Sequence, residues 1–173
     1  MTQEQLYTVE RSYGKWELRR YAPHVLAEVD VQASFESAGS IGFRPLVSYI
    51  SGRNVSGEKL AMTAPVIQSA PSRGSGHAVS FVLPADATLE TAPAPQDSSV
   101  NLRAVTEEWA AAEKFSGRWT EKTCDDVERR LRAGVEKAGL TASGPPRFAR
   151  YDPPWTPWFM RRNEVVIPVQ PPN

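Results

Sequence analysis

The 173-residue chain has one cysteine, Cys124, which excludes an internal disulfide and leaves no basis for a cysteine-built metal site. It has two histidines, His24 and His77, and no HExxH spacing, so a zinc-protease centre is excluded as well. No stretch approaches the roughly 20 consecutive apolar residues of a membrane span. The opening MTQEQLYTVERSYGKW lacks the apolar core of a signal peptide. These gaps lead to the expectation of a cytoplasmic protein without a membrane partner. Charge of one sign is also missing: 20 basic and 20 acidic side chains cancel, which argues against a nucleic-acid partner. No GxSxG, glycine-rich phosphate loop or paired-cysteine motif occurs.

What the chain does have is turn-forming residues, 15 prolines and 11 glycines, which suit strands and turns better than a helical bundle. Its length fits one domain over residues 1–173 with a sizeable core. KWELRRYAPHVLAEVDV reads as two strands broken at Ala22 and Pro23, with Val25, Ala27, Val29 and Val31 on one face. In the next stretch Phe35, Ala38, Gly42, Leu46 and Tyr49 repeat at three and four residues, which predicts a helix. Ser34 suits its N-cap and Gly52 its end, while Pro45 predicts a kink or a split into two short helices. KLAMTAPVIQSA and AVSFVLP read as strands, and the proline-rich, polar residues 84–99 as a connection within the domain.

The same order of elements then returns. SVNLRAV and EEWAAAEKFSG read as strands, and residues 120–139 form an amphipathic helix with Cys124, Val127, Leu131 and Val135 on its apolar face. RFARY and NEVVIPV close the chain as strands. Two matching halves, about 14–84 and 100–169, would pack their helices against one sheet or barrel, an α+β architecture.

The stretch YDPPWTPWFMRRNEVVIP, Tyr151 to Pro168, puts four prolines, two tryptophans and an arginine pair into eighteen residues that lead into the last strand. A plain link would need only a few Gly, Asn or Asp residues. This stretch, together with KLAMTAPV, GFRPLVSYISGRN and WELRRY, resembles the SOUL haem-binding protein family, in order and over roughly residues 14–168. The resemblance implies a distorted antiparallel β-barrel from a pseudo-twofold repeat, flanked by two α-helices. It also implies a shallow apolar groove that binds haem or another tetrapyrrole, as carrier or buffer, without an established reaction.

Haem binding calls for an apolar slot, cations for the propionates and, optionally, an axial donor. Met62, Trp155, Trp158 and Phe159 supply apolar and planar surface, and Arg53, Lys59, Arg161 and Arg162 supply cations. Some family members are thought to ligate iron through a histidine just before the tyrosine that ends WELRRY. This chain has Arg20 there, and a guanidinium offers no lone pair. His24 and Tyr21 remain as candidate axial ligands. Each residue also has a plain structural reading: Met62 as a packed strand residue, the tryptophans as a cap on the barrel, and Cys124 as inert core. Two other functions use the same fold: a haem-handling or small hydrolytic enzyme working through Tyr21, Tyr151 or Glu164, or a sensor of other apolar small molecules. The single-groove expectation is that Met62 and a tryptophan border one groove near Arg161 or Arg162.

Overall fold

A computed structural model describes residues 2–173. Eleven strands and two helices are formed among them. In chain order they are β1 (Gln3–Glu4), β2 (Tyr7–Ser12), β3 (Trp16–Tyr21), β4 (His24–Val31), α1 (Phe35–Ile50), β5 (Thr63–Ala64), β6 (Val66–Ser69) and β7 (His77–Val82). β8 (Asn101–Val105), β9 (Glu108–Phe115), α2 (Glu121–Lys137), β10 (Arg147–Arg150) and β11 (Asn163–Pro168) follow. Nine strands build an antiparallel sheet in the order β2-β3-β9-β11-β10-β6-β7-β4-β8, while β1 and β5 form a separate parallel pair. The architecture is α+β. The sheet is open, because its end strands β2 and β8 are not hydrogen-bonded to each other.

Both helices cover one face of the sheet. Ser34 caps α1 by accepting from the Ser37 amide, and Phe35, Ala38, Gly42, Leu46 and Tyr49 are its buried positions. All but Phe35 pack on Val25, Ala27, Val29, Val79 and Phe81 of β4 and β7. Thr120 caps α2 in the same way, and Val127, Leu131 and Val135 pack on Trp16, Leu18, Val165 and Ile167. Phe35, Trp119 and Cys124 join the two clusters.

The predicted split at Pro45 does not occur. α1 runs unbroken through it, and the carbonyl that Pro45 leaves without a donor belongs to Ile41, on the exposed side of the helix where water can serve it. Two further differences concern strands. β2 is a strand the sequence pattern missed, since five of its six residues are exposed and no alternation marks it. KLAMTAPVIQSA is not one strand: Pro65 separates β5 from β6, and Met62 lies before both.

The helix-free face carries a buried polar network at one side. Arg19 on β3 grips Glu164 on β11 through two bonds, Nη1 to Oε1 at 2.7 Å and Nη2 to Oε2 at 2.9 Å. Arg162 donates to the same carboxylate at 3.1 Å, and Arg19 also donates to the Tyr21 hydroxyl at 3.0 Å. Burial pushes the Glu164 carboxyl up, but the bonds and charges of the two arginines outweigh it and hold it below the ordinary value.

Two stability predictions arise here. A Cβ at Gly42 would sit 2.7 Å from the Val79 Cβ, so Gly42→Ala should cost about 1–3 kcal/mol in urea unfolding. Glu164→Gln removes one of the two carboxylates that face the buried Arg19, Glu17 being the other at 2.9 Å, and should cost about 1.5–3 kcal/mol at pH 7. Because the folded pKa of Glu164 is depressed, its contribution is present above the unfolded value of about 4.3 and fades as pH falls below it. Urea midpoints of the wild type and Glu164→Gln should therefore converge towards pH 3; a constant gap would rule out the charged pair as its source.

Candidate functional site

Residues 151–162 form the connection between β10 and β11, and its shape is held by its own polar groups. The Tyr151 amide donates to the Arg162 carbonyl, and Asp152 accepts from the Arg162 amide. Arg161 closes the loop from inside, donating from Nε to the Thr156 carbonyl and from Nη2 to the Pro154 carbonyl, each at 2.8 Å. Trp158 begins a single 3-10 turn, Trp158–Met160, and its carbonyl accepts from the Gly117 amide, which ties the loop to the turn before α2. Fixed in this way, the loop presents Trp155 at 82% exposure, with Trp158, Phe159 and Met160 also open to solvent. An apolar patch of this kind on a braced loop is a binding surface more often than an accident of folding.

The remaining expected residues take varied places. Val66 at the start of β6 pairs with Arg150 at the end of β10, so the MTAP stretch and the tryptophan loop leave the same end of the sheet. Met62 is half-buried against the α1 cluster, which makes it partly a core residue. Arg53 and Lys59 are exposed on the turn after α1, where Asn54 holds the backbone through the Tyr49 and Glu58 carbonyls. Arg162 is not a free cation: it bonds Glu164, Glu4 and Tyr7 and stacks 3.7 Å from the Tyr151 ring centre.

Both candidate axial donors are engaged. The Tyr21 side chain is 1% exposed and its hydroxyl accepts from Arg19. His24 donates from Nδ1 to the Ala22 carbonyl at 2.8 Å, which leaves Nε2 to accept from the Gln5 amide at 3.2 Å. Burial lowers the His24 pKa, so its ring is neutral at pH 7. His77 is the first residue of β7 and packs edge-on against Phe35. The environments of Glu164, Tyr151 and the core residue Cys124 follow from burial and charge. Glu164 is held by two arginines, burial pushes the Tyr151 hydroxyl well up, and burial raises the Cys124 thiol to about 12.

Two cations that the sequence pattern did not single out stand at the base of the loop. Arg118 lies 5.6 Å from the Trp158 ring centre and Arg150 lies 4.3 Å from that of Trp119. Among the described residues neither these two nor Arg161 has a carboxylate partner. Burial, together with the nearby charge of Arg161, lowers Arg150 to about 10. The buried Trp119 Nε1 has no acceptor. Nothing in the local sequence marks these residues, because the absence of a partner is a property of the folded neighbourhood.

A cavity of about 840 Å³ opens elsewhere, on the helix-free face. Leu26, Glu28, Ile67, Ala78, Arg103 and Arg147 are among its lining residues, and His24 reaches its edge. Trp155, Trp158 and Met62 do not line it.

Comparison with known proteins gives this geometry a lineage. Heme-binding protein 2 of Homo sapiens is 31% identical over 110 residues, which cover 60% of this chain and 53% of that protein. The match thus spans about half the length of that relative. Among solved structures, the C-terminal domain of EcmrR superposes with a TM-score of 0.67 at 13% identity, over 95% of this chain and 98% of that one. A hydrolase from Listeria innocua superposes with a TM-score of 0.60 at 13% identity, covering 93% and 94% of the two chains. At such identities the two likenesses speak for the fold alone. The family model described as SOUL heme-binding protein matches residues 2–168, nearly the whole chain. The chain belongs to the SOUL haem-binding protein family.

Proposed function

We propose that the protein binds haem or a related tetrapyrrole on the exposed face of the tryptophan loop and serves as its carrier or buffer. Family membership supports the ligand class. The observation that carries the site is the pairing of a braced, exposed aromatic surface with three arginines that lack carboxylate partners. Trp155, Trp158 and Phe159 offer flat apolar contact to the macrocycle, with Met62 and its neighbours Arg53 and Lys59 along the adjoining rim. Arg118 and Arg150 take the propionates, while Arg161 acts mainly as the clasp of the loop. Arg162 supports the same loop from beneath, through Glu164 and Tyr151. Because the clasp is already formed, the loop loses little freedom on binding.

The same reading takes residues 1–173 as one SOUL-type domain built from a duplicated half. The strand order supports this, since it reads the same from both ends when β3, β4, β6 and β7 are matched to β8, β9, β10 and β11. A soluble, cytoplasmic role fits a chain in which no described helix is long and apolar enough to cross a membrane.

With both ring nitrogens of His24 engaged and Tyr21 buried, affinity comes from porphyrin contacts and not from an iron bond. Haem and iron-free protoporphyrin should therefore bind within about tenfold of each other in fluorescence-quenching titrations, a difference of roughly 1.4 kcal/mol. Trp155→Ala and Trp158→Ala should each weaken both ligands, and His24→Ala neither. Loss of haem binding alone in His24→Ala would make axial ligation the anchor and refute this account.

A further inference from the structure

The cavity on the helix-free face lies apart from the tryptophan loop and has a chemistry of its own. Its room comes from small side chains: Ala78 and Ser80 of β7 and Ser69 of β6 line it where larger residues would fill it. Across the same face, Tyr7, Tyr21, Ala110, Ala112 and Val166 close together and leave a packed interior. At about 840 Å³ the cavity falls in the range of small-molecule sites, which run from roughly 300 to 1,000 Å³. Leu26 and Ile67 belong to one apolar cluster, with Val105 packed against it, and all three face the space.

Two ion pairs, Arg103–Glu28 and Arg147–Glu108, lie at the lining of the cavity. Glu28 takes Arg103 at 2.6 Å and the Ser80 hydroxyl at 2.9 Å, and Asp30 takes the Ser72 hydroxyl and amide. Arg147 donates from Nη1 to Glu108 at 2.6 Å and lies 5.0 Å from the Tyr21 ring centre. Its second terminal nitrogen, Nη2, is buried and has no acceptor among the described residues. Leaving such a donor unsatisfied is costly, and an acceptor oxygen within the cavity would remove that cost. Among the described residues Arg73 at the lining has no carboxylate partner and Asp30 no cationic one, while neutral His24 adds no charge.

We infer that this cavity is a second ligand site, for a small amphipathic anion. Its carboxylate or sulfonate oxygen accepts from Arg147 Nη2, and its apolar body lies on Leu26, Ile67 and Val105. The site is independent of the tetrapyrrole surface, so either can exist without the other.

The test uses 1-anilinonaphthalene-8-sulfonate as the anionic probe and N-phenyl-1-naphthylamine as its uncharged counterpart, both followed by fluorescence titration. The wild type should bind the sulfonate saturably and at least tenfold more tightly than the uncharged probe. Arg147→Met should abolish that preference. Ala78→Phe fills the cavity beside Asp30, its partner across the β4–β7 pair, leaves every arginine in place and should weaken both probes at least fivefold. The double variant Trp155→Ala/Trp158→Ala should leave sulfonate binding unchanged. Circular dichroism identifies the folded variants, and if Arg147→Met does not fold, Ala78→Phe decides. The inference is overturned if the wild type shows no saturable binding, or if binding survives Ala78→Phe and falls with the tryptophan variants.

Discussion

The Glu164 carboxylate is the group on which the arrangement of this molecule turns. It is fully buried, and a buried charge is tolerated only with close opposite charge and satisfied lone pairs. Arg19 supplies a two-bond grip from β3, and Arg162 approaches from the end of the tryptophan loop. Arg162 in turn reaches Glu4 of β1 and the Tyr7 hydroxyl of β2. One carboxylate therefore ties together the N-terminal strands β1 and β2, strand β3 and the root of the loop. Both its oxygens accept from guanidinium groups.

From that anchor the sheet's helix-free face divides into a filled part and an open part. Tyrosines, small alanines and the Arg19–Glu164 pair occupy the first. The second is left open by short side chains on β6 and β7, and Arg147 stands between the two, stacked on Tyr21 and bonded to Glu108. The aromatic loop lies outside both. Arg161 fastens it from within through two bonds to backbone carbonyls. Four consecutive loop residues, 157–160, are exposed, so the apolar surface is presented and not hidden by its own support.

The arginines show why charge alone reads poorly in a sequence. Arg19 and Arg20 are neighbours in WELRRY, yet Arg19 is buried against Glu164 while Arg20 meets Glu10 and Glu107 at the surface. Strand alternation explains the opposite directions, but not which partner waits on either side. Arg161 and Arg162 are adjacent as well, one a loop clasp and the other a strut to the interior. Arg118 and Arg150 become notable only through the lack of an acid nearby.

The sequence by itself determined the helices, most of the strands and the family. Ser34 as a cap, the buried positions of α1 and α2, and the break at Ala22 and Pro23 are all local patterns, set by residues within a few positions of one another. The ordered motifs from WELRRY to the tryptophan loop were legible for the same reason. Tertiary structure alone decided that α1 passes through Pro45, that β2 is a strand despite its exposed residues, and that the sheet stays open. It alone decided which polar groups are committed and which remain available. Arg19 and Glu164 are 145 positions apart, and Arg147 and Glu108 are 39 apart. Such pairs, and the cavity between strands distant in sequence, arise only when register brings the strands together, because a local pattern carries no record of what lies across the sheet.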